Sequence, residues 1–238
     1  HYNKHTIHSN HKNHCQIIVR ITSLNSGSNG NCYYIGNRED AVLIDAGISC
    51  RETEKRLKQL GLCISGIRAI FISHEHGDHI KGVATLSVKH KIPVYVSADT
   101  ARYIPGFTRD ERFTFHAEQA VQVGSLQVTA FNKHHDAADP YSFVISSGKI
   151  NVGVFTDIGN VCSRVKKYFS LCHAAFLEAN YDEDMLEKGR YPIHLKNRIR
   201  GGKGHLSNRQ ALELFLSHRP PYMTDLILSH LSAENNHP

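Results

Sequence analysis

The 238-residue sequence predicts a layered α/β domain whose chemistry is carried on loops. Three observations lead there. Short apolar runs of strand length recur along the chain, segments of helical period fall between several of them, and polar clusters sit where the apolar runs end. Composition is ordinary for a globular chain, 40% apolar and 21% charged, with enough aromatic residues for a sizeable core. No run nears the roughly 18 apolar residues of a membrane-spanning helix, and the start lacks the basic-then-apolar pattern of a secretory signal. No membrane partner is therefore expected.

Residues 16–24 (QIIVRITSL) read as the first strand and residues 32–36 (CYYIG) as its partner, with the glycine-rich turn NSGSNGN between them. Residues 41–47 (AVLIDAG) form a third strand ending in Asp45 and Gly47. Residues 51–62 carry helical spacing, with Leu57, Leu60 and Leu62 on the apolar side. Residues 67–73 (IRAIFIS) are a near-continuous apolar run, as in a strand covered on both faces. A helix over 80–90 and a strand over 92–97 follow. Residues 125–132, 141–147, 150–157 and 174–180 read as further strands, punctuated by Gly, Pro and Asp. Residues 207–218 read as a helix with Ser207 as its N-cap, and 225–230 (DLILSH) as the last strand.

No internal repeat or long linker interrupts this series, so residues 16–238 are expected to form one domain. Residues 1–15 are polar, histidine-rich and without apolar periodicity, and are expected to lie outside the fold as a disordered or non-native tail. The chain stops at SAENNHP, so a closing C-terminal helix is expected to be lacking. Six scattered cysteines (Cys15, Cys32, Cys50, Cys63, Cys162, Cys172) without a C-x-x-C pair read as reduced thiols in a cytoplasmic protein. The net charge of +6 and a pI of about 9.0 favour a polyanionic partner.

The densest chemistry is HEHGDH, residues 74–79. A helix would spread these side chains around its axis, whereas a tight loop after a strand can turn them inward together. Imidazole and carboxylate are ligands for zinc, iron and manganese with no thiolate required. Later strand ends bring more of the same: His134 and His135 in FNKHHDAADP, Asp157 in VFTDIG, and His230 in LILSHLS. Glu75 points the other way in an extended loop and reads as structural.

Taken in order, H-x-H-x-D-H, then His, then Asp, then His resembles the metallo-β-lactamase superfamily, with LIDAG matching its early strand end. The resemblance runs from about residue 20 to the end of the chain. It implies a four-layer αβ/βα sandwich with a binuclear metal site along one edge of the sheets. His74, His76 and His135 would hold one divalent metal, Asp78, His79 and His230 the second, and Asp157 would bridge them. His134 is the alternative to His135, which is preferred because HDA after the strand matches the branch described below. Asp45 would fix the histidine loop from behind by hydrogen bonds. Zinc is the expected metal, and manganese or iron would suit the same ligands. Two metals sharing a hydroxide would lower the pKa of that water from about 15.7 toward about 7. Such a site serves phosphodiesters, thioesters and amides alike, so the fold does not name the substrate.

Departures narrow the branch. His76 stands where flavodiiron oxygen reductases carry glutamate, His79 departs from the lactamases that use a cysteine ligand, and Asp157 resembles the bridging carboxylate of nucleases and glyoxalases. GHLSN (204–208) resembles the motif that precedes the last ligand in tRNase Z-type phosphodiesterases, which makes His205 the group assisting the scissile phosphate. Asp78 and His205 are thus the two expected catalytic residues. Lys196, Arg198, Arg200 and Lys203 would track a phosphate backbone, with Asn208 beside them. A basic run is equally often a solvated face. Ser28, Asn29 and Asn31 would offer an anion-binding nest, or simply close a hairpin.

SLNSGSNGNCYYI, HEHGDH, HHDAADP, LEANYDEDML, GHLSN and LSHLSAENN together resemble the bacterial YycJ/WalJ-type branch, associated with 5′-to-3′ DNA exonuclease activity. Tyr181 stands where that branch carries histidine, and Ser142 where it carries glycine. The expected function is therefore a two-metal phosphodiesterase acting on nucleic acid, DNA before RNA. A hydrolase of small esters or amides, such as a β-lactam or a cyclic phosphodiester, is the alternative. A non-catalytic zinc-containing nucleic-acid-binding module is disfavoured, because structural zinc sites are closed four-ligand cages.

Overall fold

The computed structural model describes residues 5–8, 18–104 and 112–237. Two mixed sheets lie face to face. The first runs in chain order: β1 (His5–His8), β2 (Ile18–Asn25), β3 (Cys32–Gly36), β4 (Ala41–Ile44), β5 (Ile67–Phe71), β6 (Val94–Val96) and β7 (Arg112–Thr114). It is antiparallel from β1 to β4 and parallel from β4 to β7. The second contains β8 (Ala120–Val123), β9 (Leu126–Asn132), β10 (Tyr141–Ser147), β11 (Ile150–Phe155), β12 (Ala174–Glu178) and β13 (Asp225–Ser229). Its order is β13-β12-β11-β10-β9-β8, antiparallel from β8 to β11 and parallel from β11 to β13.

Parallel neighbours need crossovers, and helices supply them. α1 (Cys50–Gln59) joins β4 to β5, and α2 (Gly77–Ile80) with α3 (Val83–His90) joins β5 to β6. In the second sheet α4 (Ser163–Phe169) joins β11 to β12, while α5 (Glu183–Lys188), α6 (Ile193–Arg200) and α7 (Asn208–His218) lie between β12 and β13. Three apolar layers follow. Between the sheets, Tyr33 meets Phe176 and Phe71 meets Phe143, with ring centroids 5.0 and 5.8 Å apart. Leu43, Ile70 and Val94 on the far face of the first sheet pack on Leu57 and Leu86. Phe155 and Leu177 pack on Phe169 and Leu214 outside the second. This is the four-layer αβ/βα sandwich expected. Strands covered on both faces explain the near-continuous apolar runs.

Several elements differ from the sequence reading. Residues 5–8 do not lie outside the fold: they pair antiparallel with β2, and Ile7 is buried in the inter-sheet core. One apolar residue among polar ones suffices for an edge strand, which periodicity over a longer window hides. The remainder of the expected tail, Cys15 included, lies outside the described residues. The helix expected over 80–90 begins only at Val83, and the stretch expected as loop is helical from Gly77 to Ile80, so Asp78 and His79 lie on a single helical turn. β7, β8 and α4 to α6 were not foreseen; the strands are only three and four residues long. Three expected strands end early, at Ile44, Phe155 and Ser229, because Asp45, Asp157 and His230 have φ of 61°, 53° and 56°. Ser207 caps α7 as anticipated, in a capping box with Gln210. The five described cysteines are unpaired. No helix among the described residues is long and apolar enough to cross a membrane.

Three loops knot together at one sheet edge. The Asn31 N–H donates to the Asp78 carbonyl (2.7 Å), Ala46 N–H to His79 (2.9 Å), Gly47 N–H to Asn31 (2.8 Å) and Gly82 N–H to Ala46 (2.8 Å). The approach is close enough to demand glycine. A Cβ on Gly47 would sit 1.6 Å from the Asp78 carbonyl oxygen, and one on Gly82 would sit 1.9 Å from that of Ile48. Gly47→Ala is therefore expected to lower stability by about 1–3 kcal/mol in urea unfolding and to loosen the 74–79 loop. Unchanged stability would mean that the loops separate at little cost.

Candidate metal centre

β4 and β5 run parallel, as do β11, β12 and β13, and β9 shares their direction, so their C-terminal ends open toward one edge of the sandwich. That is where loops of an α/β protein carry ligands. Asp45 follows β4, His74 to His79 follow β5, His135 follows β9, Asp157 follows β11 and His230 follows β13. The positive φ of Asp45, Asp157 and His230 ends each strand abruptly. Non-glycine residues adopt this conformation sparingly, and a cluster of them marks a site held by its surroundings.

The side chains converge in two groups. The imidazoles of His74, His76 and His135 form one, and Asp78, His79 and His230 the other; within each, one ligand atom per residue lies within 4.8 Å of the others. Asp157 stands between them, Oδ2 lying 3.1 Å from His79 Nε2 and Oδ1 3.7 Å from His135 Nε2 and 3.5 Å from His230 Nε2. His134 is exposed, bonded through Nδ1 to the Asn160 amide, and takes no part.

Hydrogen bonds behind the rings decide which nitrogen faces inward. His79 Nδ1 lies 2.7 Å from Asp45 Oδ2, His135 Nδ1 donates to the Gly204 carbonyl at 3.1 Å, and His230 Nδ1 lies 2.8 Å from Glu178 Oε1. Each leaves Nε2 toward the centre. Three inward atoms there, His135 Nε2, His230 Nε2 and Asp157 Oδ2, are buried without an aligned hydrogen bond. Buried polar atoms left so are costly, and imidazole and carboxylate together are a set that divalent cations would satisfy. The residues therefore fit two metal ions.

Electrostatics divides the groups. Burial pushes His74 well down and His135 down to about 4, so both stand as neutral ligands. Burial opposes charge on His79 too, but the Asp157 and Asp45 carboxylates outweigh it and raise that ring to about 10. His230 is raised well above its ordinary value, Asp157 and Asp78 overcoming desolvation. Desolvation of Asp157 is likewise overcome, by His230 and His79, and its pKa falls well below the carboxylate range.

A cavity of about 250 Å³ opens over the centre, lined among others by Ser28, Tyr191, Leu195, Arg198 and His205. His205 Nδ1 lies 2.8 Å from Glu178 Oε1. Arg198, half-exposed, lies 2.5 Å from Asp136, the residue next to His135. Other residues expected to meet substrate sit elsewhere. Asn31 is fully buried, its amide on Asp78 Oδ2 (3.2 Å) and His79 Nε2 (3.1 Å), so it contacts ligand atoms and lies outside the cavity lining. The nest is spent internally: the N–H groups of Gly27, Gly30 and Asn31 are bonded within the loops, and Asn29 is exposed outside the cavity lining. Lys196 bonds the Glu187 carbonyl, Arg200 the Glu187 carboxylate, and Asn208 the Asn236 amide. Lys203 is exposed outside the cavity lining. Short-range partners claimed these groups, which charge spacing could not foresee. Tyr181 is buried against Ser207, also outside the lining.

Glu178 went unread. It is fully buried at the end of β12 and accepts from His205, His230 and the N–H groups of Ile158 and Leu206. A lone glutamate in the apolar run AAFLEAN was the available signal. Ser73, bonded to Asp45 and His74, carried none. Glu75 accepts from Ala138 N–H, the structural part foreseen for it. A separate group, Cys50, Glu54 and His90, has its Glu54 carboxylate already taken by Lys89 (2.7 Å) and His90 (2.6 Å).

Comparison with known proteins agrees with this fold. The profile described as the β-lactamase superfamily domain matches residues 40–230. Exodeoxyribonuclease YycJ of Bacillus anthracis is 35% identical over 222 residues, 92% of this chain and 84% of the relative. Exodeoxyribonuclease WalJ of Streptococcus pneumoniae is 29% identical over 227 residues, 93% of this chain and 84% of that one. The crystal structure of the metallo-β-lactamase fold protein YhfI from Bacillus subtilis superimposes with a TM-score of 0.70 at 17% identity, covering 92% of this chain and 88% of that one.

Two outcomes test the centre. His135→Ala should lose about one equivalent of bound metal, whereas His134→Ala should keep about two, counted by native mass spectrometry. Metal entry must expel the proton held on His79, whose metal-free pKa is about 10. Affinity should therefore rise from about pH 6 to about pH 9, with proton release visible by calorimetry in buffers of different ionisation enthalpy. Buffer-independent heats would contradict that protonation state.

Proposed function

The chain belongs to the β-lactamase superfamily and is a metal-dependent hydrolase, and from that premise we propose that it hydrolyses nucleic-acid phosphodiesters, DNA before RNA, one nucleotide at a time from a 5′ end. The observation that carries the reading is the juxtaposition of Asp157, between two ligand groups, with His205 on the wall of the same cavity. The exodeoxyribonuclease names of the two relatives support DNA as the polymer. The net charge of +6 supports a polyanion. The cavity, about 250 Å³, lies below the usual range for drug-sized ligands and far below a duplex segment. That scale favours entry of a strand end.

His74, His76 and His135 would hold one metal, Asp78, His79 and His230 the other, with Asp157 shared and Asp45 fixing His79 from behind. When bound, such ions supply an acidified water and neutralise charge on phosphate. Zinc fits the imidazole-rich donors, and manganese or iron would be accepted. The chain's own residues do the rest. Glu178 holds the His205 ring by Nδ1, so an imidazolium there can hand its Nε2 proton to the leaving oxygen. Arg198 lies near enough to pair with a phosphate oxygen, at the expense of its bond to Asp136. Ser28 offers a hydroxyl to the same cavity.

The test is metal-loaded protein on 5′-labelled single- and double-stranded DNA, with Asp78→Asn beside it. Wild type should release label stepwise and the variant should not. His205→Ala should retain its metals and lose about 10²- to 10⁴-fold in kcat. If two metals are bound and a small phosphodiester or β-lactam is turned over while DNA stays intact and does not compete, the substrate is a small molecule.

A further inference from the structure

One charged group at the centre has no part in the foregoing chemistry. Lys133 is 4% exposed, buried behind the ligands at the end of β9, two residues before His135. Its Nζ donates to the Thr156 carbonyl at 2.7 Å, the peptide that leads into Asp157. The charges that bear on it most are Asp157, Asp45, Glu178 and Asp78.

We propose that Lys133 is the positioning residue for Asp157: its tether to the Thr156 carbonyl holds the left-handed turn that aims the carboxylate between the two ligand groups. The inference rests on the ligand assignment above. β10 separates β9 from β11 in the sheet, so no ladder hydrogen bond registers the His135 loop against the Asp157 loop. Two other bonds do. Lys133 ties Thr156, and Gly159 N–H donates to the His134 carbonyl at 2.7 Å, so Asp157 is bracketed on both sides. Without the first tie the Thr156 carbonyl, on the peptide entering a residue with φ of 53°, loses its link to the His135 loop.

A bystander lysine and a positioning lysine make opposite predictions. An ammonium ion beside two expected dications repels them, so removing a bystander should tighten metal binding. Removing a positioning group misplaces the shared carboxylate and weakens it, typically by about 10- to 100-fold.

The experiment is zinc titration of the metal-freed full chain against a chromophoric chelator, for wild type, Lys133→Met and Lys133→Gln, with the visible spectrum of the cobalt-loaded proteins as a report on ligand geometry. Lys133→Met should bind zinc about 10- to 100-fold more weakly and shift the cobalt bands. Lys133→Gln, which keeps an N–H donor without the charge, should recover part of the loss. Equal or tighter binding by Lys133→Met, equal losses in both variants, or unchanged cobalt bands would overturn the inference. If Lys133→Met does not fold, Lys133→Gln decides: affinity within about tenfold of wild type supports the tether, and a larger loss overturns it. DNA plays no part in these readouts. Failure to cut DNA would sink the nuclease reading and leave this one standing, whereas a wild type that binds no divalent metal would sink both.

Discussion

The carboxylate of Asp45 is the constraint on which the rest of the site depends. It is fully buried, and an anion in that position is tolerated only when its lone pairs are filled. Oδ1 accepts the Ser73 N–H at 2.8 Å, while Oδ2 meets the Ser73 hydroxyl at 2.8 Å and His79 Nδ1 at 2.7 Å. One side chain thus clamps the residue before HEHGDH and the last residue in it. The loop between has both ends fixed, and its imidazoles and Asp78 are presented to one side. Gly47 and Gly82 let the neighbouring backbone close over the clamp. Leaving such a buried charge without one of its partners typically costs about 3–5 kcal/mol, so the loop has little freedom to relax.

The centre is asymmetric in charge. His74 and His135 are held neutral by burial, so that group presents lone pairs directly. Asp78, His79 and His230 form a carboxylate-rich group in which Asp157, Asp45 and Glu178 keep protons on the rings. The two sides thus differ in protonation: the first presents lone pairs directly, and the second would do so only as a cation displaced the protons its anions hold. Glu178 links the latter to the cavity wall, since one of its oxygens serves both His230 and His205.

Toward the substrate, the basic run after α5 is mostly a structural device. Lys196 and Arg200 secure α6 to α5 through Glu187, and the Gly204 carbonyl accepts from His135. Arg198, His205 and Ser28 remain as polar groups on the cavity wall, among the apolar Leu195 and Ile199. The glycine-rich turn has a similar fate. Asn31 steadies Asp78 and His79, and the Ser26 hydroxyl accepts the His230 N–H at 2.7 Å, so the turn braces ligands.

What the sequence by itself determined was the layered α/β class, the positions of the long buried strands and the types of side chain that converge at their ends. Continuous apolar runs report burial on both faces, and histidines and aspartates at the ends of such runs have no core role to explain them. His135 turns toward the centre and His134 to solvent, since one residue's shift after β9 reverses a side chain. Tertiary structure alone decided the rest. Short edge strands such as β1 and β7 have too few residues for a period, and Glu178, Ser73 and Lys133 matter only through partners distant in sequence. The basic run shows the same limit from the other side. Charge is a property of residues, but whether a lysine meets solvent, a carbonyl or a phosphate depends on where the chain folds back upon it.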